Sequence, residues 1–474
     1  MLQSFILKDA IQFSELYGIL SFAVILLIVL ILGILGVIRL YFLNNFHSTE
    51  YTIDFQGNPK VSIHLPICNE PPDLVLKTIE SVVNLNYSNF ELLVISNNTS
   101  DSNLWKPIEA KMMSLDNRFK FVHIEKIKGY KAGALNLALK YTSLTADYIF
   151  TLDADYILEE NALDIAVGTI QSRNIQLLQF PQSYRNVSTE TNGVEINYKH
   201  YFDCYLSSAK SKILALPTGT LTIIDSKVFE NGTRWPMDSI TEDASFGVEL
   251  IKQKMKIGFC NIVIGRGTMP TEPLDYSKQF KRWVFGNFQV LIKVWRSKGI
   301  SVMNKIHLST LLTAWINLLG FIFGILIATL PLLIYNSEIG LKIFYVGIIG
   351  IIIHCLFQIV IYIKIAGNNF VTGWNGFLIH LGLLEIGAFY WMSYFISSDK
   401  PFVRTTKFLK PVSISNRLYL FPFIIFLLSL VCFIFQHNVI AIFLSFFAIQ
   451  LIYAKFHKDR ELVWSKFNLY KLTK

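Results

Sequence analysis

Residues 148–158 read YIFTLDADYIL. An apolar run ends on two carboxylates, Asp153 and Asp155, with only Ala154 between them. Like charges this close repel each other, so water or a cation must hold both ionised. The run before them decides the fold, because it is one of a series. VSIHLPI (61–67), ELLVIS (91–96) and FVHI (121–124) are equally short and apolar, as buried strands are. DLVLKTIESVVNL (73–85) and AGALNLALKYT (132–142) carry apolar residues at helical spacing. Strand and helix alternating in this way predict an α/β domain, with a mostly parallel Rossmann-type sheet covered by helices. Ligands of such sheets bind at the carboxyl ends of the strands. Asp153 and Asp155 stand at one such end.

Outside that domain the composition changes. The chain of 474 residues is 52% hydrophobic and only 16% charged, yet carries a net charge of +9. Its mean hydropathy of +0.43 excludes an ordinary soluble enzyme. A basic excess on an apolar chain fits the cytoplasmic face of a membrane. No dense Lys/Arg block with interleaved aromatics is present, so nucleic acid is not expected as a partner. The five cysteines form no CxxC pair, which excludes a disulfide framework or a zinc site.

Residues 16–38 form an uncharged run, about 34 Å long as a helix against a hydrocarbon core of roughly 30 Å. Four further spans are expected at 310–335, 343–363, 418–435 and 439–453. The stretch 374–397 is long enough to cross but contains His380 and Glu385. Five basic residues at 398–417 and six at 455–474 belong on the cytoplasmic side. Both reach it if 374–397 is interfacial or re-entrant rather than spanning. The expected organisation is therefore an N-terminal membrane segment (1–43) and a cytosolic domain (44–305). Two membrane helices (306–365), an interfacial segment and cytosolic loop (366–417), two more helices (418–454) and a basic cytosolic tail (455–474) follow. The N-terminus lies outside, and the protein is a multi-pass component of the plasma (inner) membrane.

Four elements of the cytosolic part carry chemistry, and each has a structural alternative. Asp153-Ala-Asp155 suits Mg²⁺ or Mn²⁺, which take one or two carboxylates plus substrate phosphates; it also suits a helix start before ALDIAVGTI. In SITEDASFGVEL (239–250), Asp243 is placed as a general base. Alternatively Thr241 caps a helix with Glu242 and Asp243 in its first turn. In QFKRW (279–283), Gln279, Arg282 and Trp283 share one side of a helix, ready for a diphosphate and a sugar ring. The same residues also serve as membrane-surface anchors. In KGYKAGALN (128–136), Lys131 precedes a small-residue helix start that favours phosphate. Any loop of small residues before a helix reads the same way.

Together and in this order, Lys131, Asp153/Asp155, Thr241-Glu242-Asp243 and Gln279-x-x-Arg282-Trp283 resemble the family-2 glycosyltransferases. The resemblance is to the processive membrane synthases of the cellulose, curdlan and hyaluronan type, over about residues 60 to 300. It implies a GT-A-like domain between membrane helices and an inverting transfer from a UDP-hexose, glucose being expected, to a growing β-linked polysaccharide. A single addition to a membrane lipid is the alternative. It implies that Asp155 with Asp153 holds the metal and that Lys131 contacts the donor. Asp243 would deprotonate the acceptor, and Arg282 would meet the diphosphate. Gln279, Trp283 and Glu242 would line the acceptor end. ALPTGTLTIID (215–225) is similar to the segment around the family's acceptor-contacting helix, which brings in Gly219 and Thr220. PFVRTTKF (401–408) resembles a loop that closes over the nucleotide, through Thr405 and Thr406. One departure stands out: where many members have Asp-Asp to contact uracil, VISNNTSD (94–101) offers Asn97, which hydrogen-bonds but carries no charge. The implied partners are the donor, a glycan acceptor and the bilayer; whether periplasmic or cell-envelope export subunits join them, the sequence does not say. A fused cyclic-dinucleotide domain is not expected.

Overall fold

The computed structural model describes residues 2–45, 50–188, 192–207, 213–270, 272–397 and 420–473. Its core is a seven-stranded sheet in the order β3-β2-β1-β4-β8-β6-β9. The strands are β1 (Lys60–Ile67), β2 (Phe90–Asn97), β3 (Phe119–Ile124), β4 (Ala146–Thr151), β6 (Leu177–Gln179), β8 (Thr222–Asp225) and β9 (Ile257–Phe259). All neighbours are parallel except β8, which is antiparallel to both β4 and β6. A second sheet of three short strands joins β5 (Ile157–Leu158), β10 (Gly265–Gly267) and β7 (Ser183–Tyr184).

The central strands are mostly apolar because both faces are covered. Val61, Ile63, Leu65, Leu92 and Val94 are fully buried. α2 (Pro72–Val83) starts on proline and buries Val75, Ile79 and Val82, spaced to lie on one face. α3 (Ser102–Met113) is capped by Asp101, whose carboxylate accepts from the Asn103 N–H at 2.9 Å. α4 (Tyr130–Tyr141) and α5 (Ala162–Arg173) complete the cover. The chain runs outward from β1 to β2 and β3, then returns to place β4 on the other side of β1. The loops after β1 and β4 therefore part, leaving a crevice at a topological switch point.

Beyond β7, α6 (Asn192–Tyr201) runs into a π-helical turn, Phe202–Leu206. α7 (Glu242–Lys252) and the long α8 (Pro273–Arg296) close the crevice from the opposite side. The remaining helices are α1 (Leu2–Asn45), α9 (Val302–Leu312), α10 (Leu319–Ala328), α11 (Leu330–Ile334), α12 (Glu338–Ile365), α13 (Phe370–Gly382), α14 (Leu384–Phe389), α15 (Leu420–Ile434) and α16 (Asn438–Thr473). Among the described residues, Glu15–Asn45, Glu338–Ile365 and Asn438–Trp464 are long and apolar enough to cross a membrane. Phe370–Gly382 with Leu384–Phe395 is a fourth candidate, bent by 47°.

Three features depart from the pattern of apolar runs. The run 310–335 is not one helix. It breaks between α9 and α10, where the Asn317 N–H donates to the Gly387 carbonyl at 3.0 Å, and again before Pro331. The ionisable residues of 374–397 are turned into protein: Glu385 meets Lys455 at 2.6 Å, and His380 lies 3.2 Å from His354. Residues 455–473 are a continuation of α16 rather than a separate tail. Glu461 anchors that continuation by accepting from the Val194 N–H at the start of α6, at 3.0 Å. Gly193 permits the approach, since a Cβ there would stand 2.6 Å from the Glu461 carboxylate.

Candidate active site

The crevice at the switch point is a cavity of about 880 Å³. The β1 and β4 loops supply Glu70, Asp153 and Asp155; β2 ends at Asn97; Lys131 comes from α4. α7 supplies Glu242 and Asp243, and α8 supplies Gln279, Arg282 and Trp283. Residues more than two hundred positions apart in sequence thus line one space.

The carboxylates divide into two environments. Asp155 is buried, and its Oδ2 accepts from the Thr268 N–H at 3.2 Å. Asp153 is more open and meets the Lys131 ammonium at 2.5 Å. Lys131 also donates to the Gly219 carbonyl at 2.7 Å. Burial pulls the Lys131 ammonium toward a lower pKa, but Asp153 and Glu242 outweigh it, so the net shift is upward. Among the described residues no cluster of three His, Cys, Asp or Glu is suited to hold a metal by itself. Two hard oxygen donors do fit Mg²⁺ or Mn²⁺ that draws its remaining ligands from a diphosphate and water.

Asp243 faces this group from the start of α7. Burial and the neighbouring Glu242 raise its pKa to about 7, against the opposing pull of the Ala244 N–H, Lys131 and Arg282. Its Oδ2 and the Lys131 Nζ each lie 3.1 Å from the point a Gly219 side chain would occupy. Gly219 has φ +83, so the position demands glycine twice over, for conformation and for space. The carboxyl therefore titrates in the physiological range beside a fixed cation. Thr241 precedes α7 but makes no side-chain cap.

Gln279 accepts from the Tyr198 hydroxyl at 2.6 Å. Trp283 meets Tyr198 edge-on at 5.7 Å and stacks on Trp315, in the break between α9 and α10, at 5.1 Å. Trp315 in turn stacks on Tyr201 at 5.3 Å. A line of aromatic rings thus leads from the cavity into the helices. It reaches a much smaller chamber of about 30 Å³, where Arg39, His200, Asn317, His354, Gln358 and His380 stand among apolar side chains.

One expected contact, Thr220, lies off the cavity, and a second, Asn97, is already engaged within the sheet. Thr220 is fully buried behind the cavity, where its hydroxyl accepts from the Asp153 N–H at 3.0 Å. Together with Gly219 it forms the support of the carboxylate loop. Asn97 borders the cavity, but its amide donates to the Ile67 carbonyl at 3.0 Å, tying β2 to β1. Thr405 and Thr406 lie outside the described residues.

Sequence reasoning overlooked Gln179, Gln182, Tyr156 and Tyr184. Buried Gln179 accepts from the Thr218 N–H at 2.8 Å and donates to the Thr220 carbonyl at 2.9 Å, fixing the loop beneath Lys131. Gln182, Tyr156 and Tyr184 line the cavity wall. Nothing in their local spacing marks them. The ICNE loop (67–70) also lines the cavity, and its place after the first strand is the signal that marks it.

Comparison with known proteins follows the same lines. Residues 148–456 match the model of glycosyl transferase family group 2, and residues 62–232 that of glycosyl transferase family 2. A probable glycosyltransferase of Sulfolobus acidocaldarius is 25% identical over 251 residues, 51% of this chain and 53% of that protein. The poly-β-1,6-N-acetyl-D-glucosamine synthase of Staphylococcus epidermidis is 26% identical over 230 residues, 48% of this chain and 54% of the synthase. The chain thus spans about half the length of these curated relatives. Among solved structures, mannosyltransferase PcManGT from Pyrobaculum calidifontis, in complex with GDP-Man and Mn²⁺, superposes with a TM-score of 0.51. It has 14% identity and covers 81% of this chain and 98% of its own. That similarity shows the GT-A-like fold.

Proposed function

The chain belongs to glycosyl transferase family group 2, and from that membership we propose a membrane-embedded, inverting hexosyltransferase that extends a β-linked polysaccharide from a UDP-sugar. The observation that carries the reading is the meeting of Asp153, Asp155, Asp243 and Arg282 in one cavity. Asp155 and Asp153 would hold Mg²⁺ or Mn²⁺. When bound, the ion neutralises charge on the departing diphosphate. Lys131 then exchanges Asp153 for donor phosphate oxygens, a ligand that its ammonium suits.

Asp243 takes the proton of the acceptor hydroxyl. The acceptor oxygen bonds to the anomeric carbon as the bond from that carbon to the phosphate oxygen breaks, and UDP leaves with the electron pair. Attack opposite the leaving group inverts an α-linked donor to a β-linkage. Arg282 faces the negative charge on the diphosphate. Trp283 offers a flat face to the acceptor sugar, held in place by Tyr198 and Trp315.

Glucose is the sugar expected from the sequence. The relatives named for poly-β-1,6-N-acetyl-D-glucosamine make UDP-N-acetylglucosamine the donor to test beside it. The cytosolic placement of the domain rests on the basic segments that flank its helices.

A second reading, one sugar added to a lipid in the inner leaflet, is favoured by one observation. The chamber beyond Trp315, at about 30 Å³, holds on the order of two water molecules. A glycan passes that way only if the helices part. Isolated membranes supplied with each labelled UDP-sugar separate the two readings. High-mass product degraded by a β-specific hydrolase supports extension, and glycolipid alone overturns it.

A further inference from the structure

A second cavity, of about 450 Å³, lies on the reverse side of α8. Leu274, Ser277 and Lys281 form its α8 wall. Lys281 stands about 200° around the helix from both Gln279 and Trp283. The facing walls come from α14 with the turn after it and from the polar half of α16.

Its chemistry is divided. Lys281, Lys455 and Lys458 bring three ammonium groups to the cavity, against the carboxylates of Glu385 and Asp459. Lys455 meets Glu385 at 2.6 Å, and Lys458 meets Asp459 at 3.0 Å. The Lys281 ammonium lies 5.1 Å above the Tyr390 ring. Lys458 is 6% exposed, a buried cation at the floor. Leu274, Ile386, Phe389, Met392 and Ile396 give the cavity an apolar side, with Ser277 and Ser393 between. At the mouth, Ile396 is 90% and the adjacent Phe395 70% exposed.

The position along α16 fixes the depth. Residues 438–454 carry no charge, and Lys455 is the first ionisable residue after them. Cations that begin where an apolar span ends stand at the level of the lipid headgroups. A cavity at that level, cationic within and apolar toward the mouth, is complementary to one molecule that has both characters.

We propose that this cavity binds an anionic phospholipid, its headgroup phosphate on Lys281, Lys455 and Lys458 and an acyl chain along Phe389 and Ile396. The bound lipid braces α8 from behind, on the helix that presents Gln279, Arg282 and Trp283 to the large cavity. The binding does not depend on which sugar is transferred or on whether the product is polymeric.

The test uses the purified full chain in detergent, given equal amounts of phosphatidylglycerol and phosphatidylcholine and read by native mass spectrometry. Wild-type protein retains phosphatidylglycerol selectively, and excess inorganic phosphate does not displace it. Lys281→Gln and Lys455→Gln each weaken that retention by roughly fivefold, while phosphatidylcholine binding stays unchanged. Equal retention of both lipids by the wild type overturns the proposal, without recourse to any variant. So does displacement by inorganic phosphate, which would mark a site for the free anion. Variants that fold, by an unchanged melting profile, and keep wild-type selectivity also overturn it.

Discussion

Asp243 is the base in the proposed mechanism, and its surroundings make that role testable. In the folded chain its pKa is raised from 3.8 to about 7. The folded state therefore binds this proton more tightly than the unfolded state, so ionisation weakens folding as pH rises from about 4 to about 7. Asp243→Asn should remove turnover by a factor on the order of 10² to 10⁴, read as UDP release. It should also raise the melting temperature at pH 8, with the gain fading as pH falls toward 4. An inactive variant no more stable than wild type at pH 8 would remove the raised carboxyl from the account. Turnover of the wild type should rise with pH through about 7 as the base ionises. Gly219→Ala tests the same corner. Its φ of +83 disfavours any side chain, and Asp243 or Lys131, each 3.1 Å away, must give by a few tenths of an ångström to admit a methyl. Turnover should fall, by less than the roughly hundredfold cost of a 1 Å misplacement. A fully active alanine variant would show that neither group needs its observed place.

At the scale of elements, a buried carboxylate ties α16 to α6 beside the packing of Leu462 with Val194 and Tyr198. Glu461 is 1% exposed and accepts from the Val194 N–H and from His457 at 3.1 Å. Glu461→Leu leaves a buried N–H without a partner, an expected loss of about 1–3 kcal/mol, measurable as a lower unfolding midpoint. Turnover should fall with it, because α6 carries Tyr198 and through it Gln279. This junction also marks the limit of what the sequence made legible. The alternating strands and helices of 60–152 were readable because each has its own period and both faces of the sheet are buried. The carboxylates, Asp243 and Gln279-x-x-Arg282-Trp283 stood out only together, through the family resemblance, and the fold brings them to one cavity. Contacts made across long stretches left no periodic trace. Gln179 supporting Thr218, Trp315 stacking on Trp283 and Glu461 reaching Val194 are settled by packing. The same holds for the run 310–335, whose hydropathy is continuous although its backbone turns aside at Asn317 to bond with Gly387.

Across the whole molecule, the large cavity and the apolar helices form one connected body. Asn197 of α6 donates to the Tyr362 hydroxyl of α12 at 2.8 Å and accepts from Tyr276 of α8 at 3.0 Å. Removal of divalent ions by EDTA should abolish transfer, with activity restored by Mn²⁺ or Mg²⁺; transfer that persists would rule out the role assigned to Asp153 and Asp155. The continuity of α16 has a mechanical consequence. Its 36 residues form an unbroken rod, about 54 Å long at the usual rise, with its apolar half packed along α15 and its polar half pinned to α6 through Glu461. A thinner bilayer makes such a rod tilt to keep its apolar length covered, and the pinned end must follow. In vesicles of graded acyl-chain length, sugar transfer should therefore peak at one thickness and decline on either side, so that the enzyme reports the width of the membrane in which it works.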